Sequence, residues 1–457
     1  MDGIKRVYFI GIGGIGMSAI ARYMNSIGKE VFGYDKTETE LTKKLVDEGM
    51  MIHYEDDVNL IPEGIDLVVY TPAIPEGNKE LNHFRDNGFD VIKRAEMLGR
   101  LSKMKKTIAI AGTHGKTSTS AIIAHLLKYG NKDISAFIGG IMTNYRSNYI
   151  EGAGDWIVVE ADEYDRSFLH LTPDIIGVMS MDADHLDIYG DHDVMKEGFE
   201  AFIMKIKDAG LLILRVGMLE KLSDDLLINL SNRDVRISEF GIDQSADIDV
   251  SNVVVKEGNF YFDYRNDEHQ YLDLKTNLPG RHNIENATVA IKIAAELGLE
   301  EGEIRGGLES FRGIKRRFEK IYEDEKIVYF DDYAHHPTEL NSAIGAAREL
   351  YPDKKLTGIF QPHLFSRTRD FVEGFAEALD ELDEILLMDI YPAREQPIKG
   401  VTSEIIFEKL KTKDKELVTK ESLMEKLKNK ELEVLMTLGA GDIDVFVPQI
   451  KTWLLES

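Results

Sequence analysis

The sequence predicts an α/β protein of three consecutive domains with mostly parallel sheets. Three observations carry that prediction. A chain of 457 residues is too long for one hydrophobic core. Short apolar runs alternate with helix-period segments over most of its length. Gly-rich turns also stand between a strand-like run and a helix-like one, at Gly11–Gly16 and at Gly112–Thr117. Strands separated by helices imply parallel pairing through right-handed crossovers.

The first domain spans residues 1–104. Its strands are read at Arg6–Ile10, Glu30–Tyr34 and Leu67–Thr71, with a helix over Met17–Ile27. Gly11-Ile12-Gly13-Gly14-Ile15-Gly16 satisfies GxGxxG in the strand-to-helix setting of a Rossmann-like nucleotide fold, and Asp35 ends the next strand where a ribose-binding acid would stand. At face value the pattern fits NAD. It fits the pyrophosphate of another nucleotide equally well, and tight strand–helix packing produces it too. The charged run Lys103-Met104-Lys105-Lys106 reads as a linker, although such a run is more often a solvated face.

The central domain, residues 105–312, opens with a strand over Thr107–Ala111 and a helix over Ser118–Lys128. Between them, Gly112-Thr113-His114-Gly115-Lys116-Thr117 is a shortened P-loop, since Ile110 stands where the full consensus has a further Gly. Backbone N–H groups at a helix N-terminus stabilise phosphate oxygens. Lys116 can reach the outer phosphates of ATP, and the Thr117 hydroxyl can ligate Mg²⁺. Gly112, Thr113, Gly115 and Ser118 complete the expected cradle. A strand at Trp156–Glu160 runs into Ala161-Asp162-Glu163, so Glu160 is a candidate metal ligand if its strand neighbours the P-loop strand; Glu163 is less well placed. A strand at Ile175–Met181 runs into Asp182-Ala183-Asp184-His185, where His185 suits either a second cation or surface hydrogen bonding. Short alternating runs over 235–274, with a turn at Glu257-Gly258-Asn259, predict a small antiparallel addition. The helix Asn283–Leu297 follows.

The third domain, residues 313–457, is again Rossmann-like, with strands at Lys326–Phe330, Leu356–Phe360, Glu384–Ile390 and Glu433–Leu438. Asp331, Asp332, Tyr333, His335 and His336 follow its first strand; His363, Arg367 and Arg369 follow its second. Open α/β sheets bind ligands at these carboxyl ends, and arginines there suit carboxylates or phosphates. For His336 packing is the preferred reading. Composition narrows the function classes. With no cysteine there is no disulfide, thiolate metal site or thiol nucleophile, which fits a cytoplasmic protein. A formal charge of −26 argues against a nucleic-acid partner. No apolar run approaches the roughly 20 residues of a membrane span, and the N-terminus enters a strand directly rather than a cleavable leader.

With these residues assembled, the chain resembles the Mur ligase family along its whole length, through GIGGIGMS, TPAI, KRAEML, GTHGKT, EADE, DADHLDIY, LPGRHNIENA, RRFE, DDYAHHPTE, FQPH, SRTRD, DIYPAREQPI and LGAGDI. The resemblance implies a first domain holding a UDP-sugar, a central domain binding ATP, and a last domain receiving the amino acid and closing over the ATP. It moves the GxGxxG loop from NAD to UDP. It assigns Gly13, Gly14, Gly16, Thr71 and Arg94 to the UDP-sugar, with Asp35 beside them. Lys116 and Thr117 fall to phosphate and Mg²⁺, and Glu160 and His185 to a second Mg²⁺. His282, Asn283, Asn286, Arg316 and Asp332 fall to the nucleotide, and Tyr333, His335 and Arg367 to alanine and its carboxylate. The implied reaction is ATP-dependent joining of L-alanine to the lactyl carboxylate of UDP-N-acetylmuramate through an acyl phosphate, with Lys116, Glu160, His185 and His335 as catalytic groups. A recycling ligase of the same family, which adds a tripeptide to that sugar, is the nearest alternative, and an NAD-dependent oxidoreductase a remoter one. Two departures stand out. Leu364 occupies a position where many relatives carry Arg, leaving Arg369, Arg166 or Arg394 to compensate. Glu200 stands where several relatives carry a carbamylated lysine.

Overall fold

The computed structural model describes residues 1, 3–181, 192–256, 258–393 and 395–456, without the side chains of 164, 165 and 192–194. Three sheets organise them. The first has strands β1 (Arg6–Ile10), β2 (Glu30–Tyr34), β3 (Met51–His53), β4 (Leu67–Tyr70) and β5 (Val91–Lys93), in the order β3-β2-β1-β4-β5. All four pairings among them are parallel. Residues alternate faces along a strand, so Val7 and Phe9 of β1 enter one core while Tyr8 and Ile10 enter the other. Both faces are covered, as a parallel sheet requires.

The second sheet comprises β6 (Lys106–Ala111), β7 (Ile134–Met142), β8 (Ser147–Ile150), β9 (Trp156–Glu160), β10 (Ile175–Val178), β11 (Leu211–Arg215), β12 (Arg236–Ile242), β13 (Ile248–Lys256), β14 (Asn259–Arg265) and β15 (Gln270–Thr276). Its order is β15-β14-β13-β12-β11-β10-β6-β9-β7-β8. β6 lies between β10 and β9, parallel to both. The third sheet comprises β16 (Glu319–Glu323), β17 (Val328–Asp332), β18 (Leu356–Phe360), β19 (Glu384–Met388), β20 (Lys415–Val418) and β21 (Val434–Leu438), ordered β16-β17-β21-β18-β19-β20. Only its edge strand β16 runs antiparallel to its neighbour.

The described chain forms two compact units. One comprises Met1–Ser251, Asp263–Leu272 and Glu285–Ser310; the other comprises Asn252–Phe262, Asp273–Ile284 and Phe311–Ser457. In the first unit, the helix Ile15–Ser26 that follows the GxGxxG loop packs on the β7–β8 hairpin. Asn148 of β8 donates to the Ile15 carbonyl and to Ser18 Oγ (2.9 Å), and its Oδ1 accepts from Arg22. Arg22 is 6% exposed and also grips Glu48 at 2.8 Å.

Of the two readings of Lys103–Lys106, the structure shows the solvated face and not a four-residue linker. The helix Arg94–Met104 continues into the run and β6 begins at Lys106, leaving Lys105 alone between them. The charged run is the solvent side of a continuous helix end, and Met97, Leu98 and Leu101 anchor that helix by burial. No helix among the described residues is long and apolar enough to cross a membrane.

Candidate active site

The parallel register Ile110↔Glu160 brings the carboxyl ends of β6 and β9 side by side. The condition attached to Glu160 is therefore met. Thr117, in the first turn of the helix Lys116–Tyr129, donates its hydroxyl to Glu160 Oε2 at 3.1 Å. The Gly139 N–H of β7 donates to Oε1 at 2.5 Å. A Cβ on Gly139 would lie 2.6 Å from Glu160 Oε2, so only glycine allows this approach. Burial pushes the Glu160 carboxyl above its ordinary range, against the Gly139 hydrogen bond and the Lys116 charge, which pull it down.

Lys116 turns back on its own loop. Its Nζ donates to the Gly112 carbonyl at 2.6 Å and to Glu163 Oε1 at 2.8 Å. Burial alone would lower the ammonium pKa; the carboxylates of Glu163, Asp162 and Glu160 outweigh it and hold it above the ordinary lysine value. Not every loop N–H faces outward as expected. Thr113 N–H donates to the Ser180 carbonyl at 3.3 Å and His114 N–H to Ser180 Oγ at 2.8 Å, so the N–H groups left to face outward are those opening the helix at Lys116, Thr117 and Ser118. Asn286 touches the loop, accepting from Thr119 Oγ1 at 3.0 Å.

In the GxGxxG turn, Asp35 accepts from the Gly13 N–H at 2.8 Å, so this acid shapes the loop itself. Gly14 N–H closes a turn on the Gly11 carbonyl at 3.2 Å. Arg94 lies over Gly16, where a Cβ would meet its Nη1 at 2.6 Å, and its other end donates to Asp162 at 3.2 Å. Thr71 directly follows β4 at the same carboxyl edge. Gly13, Gly16, Asp35 and Arg94 are thus gathered around one loop, and Arg94 links it to the acids after β9.

In the second unit, Arg316 donates to Asp331 at 3.2 Å and to the Gly439 carbonyl at 2.6 Å, and lies 5.2 Å over the Tyr333 ring. Asp332 accepts from Phe318 N–H at 2.6 Å and Ala334 N–H at 2.7 Å; burial raises its carboxyl to about 7. His335 Nδ1 sits 2.9 Å from the Tyr333 carbonyl and 3.2 Å from Glu339. A carbonyl only accepts, so in the neutral ring Nδ1 carries the proton and Nε2 keeps the lone pair. Burial lowers the His335 pKa and the nearby Arg367 charge adds to the effect, against Glu339. His336 caps the helix Pro337–Leu350 and packs on Phe371, as expected of a structural histidine. His282 is pushed down to about 4 by burial, with the Arg317 charge assisting. Asn283 donates to the Pro279 carbonyl at 2.7 Å.

The two departures also have positions. Leu364 adopts φ 71° and caps the short helix Phe365–Asp370. Of the three arginines expected to compensate, Arg369 pairs with Asp370 at 2.7 Å, Arg166 is exposed, and Arg394 lies outside the described residues. Glu200 accepts from Ser223 N–H at 2.9 Å and Ser223 Oγ at 2.8 Å. It serves the start of the helix Asp224–Asn232. His185 with its neighbours 182–191, and Glu257 of the expected turn, also lie outside the described residues. Sequence reasoning missed Gly139 and Glu339 and left Asp162 without a role. Only the acid run after β9 carried any signal of the last.

Three family models match in order. The Mur ligase family catalytic domain covers residues 6–106, the Mur ligase middle domain 110–294, and the Mur ligase glutamate ligase domain 316–446. A UDP-N-acetylmuramate–L-alanine ligase of Flavobacterium johnsoniae is 46% identical over 100% of this chain and 99% of its own. One from Porphyromonas gingivalis is 45% identical over 99% of both. Among solved structures, the UDP-N-acetylmuramate–alanine ligase MurC of Thermotoga maritima matches with TM-score 0.81 and 29% identity, covering 99% of this chain and 100% of that one. A murein peptide ligase of Psychrobacter arcticus shares the fold at TM-score 0.68 and 22% identity, covering 99% and 98%. The chain belongs to the Mur ligase family.

Proposed function

We propose that this chain joins L-alanine to the lactyl carboxylate of UDP-N-acetylmuramate, splitting ATP to ADP and phosphate, as a step of peptidoglycan precursor synthesis in the cytoplasm. The observation that carries the phosphate chemistry is the meeting of Lys116, Thr117 and Glu160 at the ends of the neighbouring strands β6 and β9. The substrates follow from full-length likeness to ligases named for them, at 46% identity.

A carboxylate is a poor acyl donor, since its leaving group would be oxide. Its oxygen attacks the γ-phosphorus of ATP, ADP leaves, and an acyl phosphate results. The alanine amine then attacks the acyl carbon, and phosphate leaves from the tetrahedral intermediate. The Lys116 ammonium stabilises charge on the transferring phosphoryl group. Thr117 and Glu160 offer the hard oxygen donors that Mg²⁺ takes and would hold one ion; Glu160 with His185 is the reading for a second. Bound there, the metal neutralises charge on the phosphates.

The first-domain loop with Gly13, Gly14, Gly16, Thr71 and Arg94 takes the UDP-sugar. Gly112, Thr113 and Gly115 shape the loop, the N–H groups of Lys116, Thr117 and Ser118 at the helix start cradle the phosphates, and His282, Asn283, Asn286, Arg316 and Asp332 serve the nucleotide. Tyr333 and Arg367 orient the amino acid, and the Nε2 lone pair of His335 accepts the proton that the attacking amine releases. The three stretches 1–104, 105–312 and 313–457 are the corresponding working domains.

The test is ADP release with Mg²⁺, UDP-N-acetylmuramate and L-alanine, each omitted in turn, with the product identified by mass. With ATP supplied, sustained ADP release beyond one equivalent per enzyme occurs only with all of them present, alongside UDP-muramyl-alanine. Turnover with the tripeptide but not with alanine would move the chain to a recycling role.

A further inference from the structure

The P-loop lysine already has a carboxylate partner inside the protein. Lys116 Nζ lies 2.8 Å from Glu163 Oε1, and the Glu163 side chain is fully buried while that of Lys116 is 16% exposed. Two of the three ammonium donors are therefore taken, by Glu163 and by the Gly112 carbonyl at 2.6 Å, and the third is aimed by those two. The surrounding charges do not restore a positive field. Asp162 is engaged by Arg94 at 3.2 Å, and Glu160 by Thr117 and Gly139. The carboxylates of Glu163, Asp162 and Glu160 all act on the Lys116 charge.

A polyphosphate arriving alone meets a lysine whose charge is offset at contact distance by a carboxylate that water does not screen. The cradle donors at the helix start still attract it, but the strongest single charge does not. We propose that Glu163 is a positioning residue for Lys116 that both fixes the ammonium and cancels its charge, so that the loop accepts a nucleotide polyphosphate only together with a divalent cation. This rests on the reading that the loop binds nucleotide. It gives Glu163 a role distinct from metal ligation. Glu160 and Thr117 would receive the ion, and Glu163 makes the ion necessary.

The experiment is equilibrium titration of the full chain with ADP, once in excess EDTA and once with Mg²⁺, for wild type, Glu163→Gln, Glu163→Asp and Lys116→Ala. In wild type, metal-free ADP binds far more weakly than MgADP. In Glu163→Gln that gap shrinks by about tenfold or more, a change of at least about 1.4 kcal/mol, because the ammonium is released from its counter-charge. Glu163→Asp keeps the charge and holds the gap within about threefold of wild type. A gap unchanged in folded Glu163→Gln, or shrunk equally in Glu163→Asp, overturns the proposal.

Should Glu163→Gln not fold, wild type alone decides. A compensated lysine predicts that metal-free ADP affinity changes less than about threefold between about 50 and about 300 mM KCl; weakening by about tenfold overturns it. If MgADP does not bind wild type, or binds Lys116→Ala as tightly, the nucleotide reading itself fails, which is a different outcome.

Discussion

Glu160 sits where three separate segments must agree. Its carboxylate is reached by the Thr117 hydroxyl and the Gly139 N–H, and a side chain at Gly139 would displace it. Gly139→Ala would place a methyl 2.6 Å from Oε2, so the carboxylate must swing away from Thr117. If the pair holds Mg²⁺, half-saturation by Mg²⁺ in the ADP-release assay rises by about tenfold, while the thermal midpoint moves by only a few degrees. An unchanged Mg²⁺ requirement would remove Glu160 from the metal site. At this scale, legibility followed sequence distance. Lys116 and Thr117 stood out as candidates because the motif that carries them is local and lies in neighbouring residues. The partners Gly139 and Glu163 lie 21 residues before Glu160 and 47 after Lys116, and no spacing rule connects them.

At the scale of elements, the helix Ile15–Ser26 is tied to a strand outside its own sheet. Asn148 satisfies the Ile15 carbonyl and Ser18, and holds one arm of the buried Arg22. Asn148→Ala leaves a guanidinium donor and a carbonyl buried with fewer partners, an expected loss of about 1–3 kcal/mol in urea unfolding. Because the helix opens at the GxGxxG loop, the same change should raise KM for the UDP-sugar more than KM for ATP. A neutral Asn148→Ala would mean that water replaces the amide there. Element types were legible wherever periodicity was strong: Glu30–Tyr34, Trp156–Glu160 and Leu356–Phe360 match the expected strands. The three-residue strands β3 and β5 are too short to show a period. The antiparallel edge strand β16 went unread because its half-exposed residues lack an apolar run.

For the whole molecule, buried titratable groups set the pH range of stability. His125 is 4% exposed, with its ring nitrogens 2.8 Å from Tyr145 Oη and 2.9 Å from Ser310 Oγ; burial lowers it to about 4. The unfolded chain binds that proton more readily, so the His125 contribution is full above the ordinary histidine pKa of about 6.5. It is lost as pH falls from there toward 4, by about 3 kcal/mol in all. His282 acts with the same sign. Glu80, bonded to Tyr8 at 2.6 Å, and Asp332 act oppositely. Burial raises both to about 7, so they favour the fold when protonated, fully so below the ordinary carboxylate range of about 4, and that contribution is lost as pH rises from there to 7. The expected observation is therefore a difference. The stability gap between wild type and His125→Gln narrows by about 3 kcal/mol from pH 7 to pH 4, read by denaturant melts at each pH. A constant gap would show that the ring is not buried neutral.

By itself the sequence determined the α/β class, the two phosphate-type loops and the membership of the family, because periodicity and loop motifs are written in neighbouring residues. Sheet order, register and the identity of buried partners came only with the tertiary structure. Parallel strands pair across crossovers of many residues, so a contact such as Lys116 with Glu163 exists only once strand order has placed two distant turns at one sheet edge, and Arg94 with Asp162 only once two sheets have been brought together. Burial then decided the charge states, since the same histidine or carboxylate titrates in its ordinary range in water and well outside it in a core.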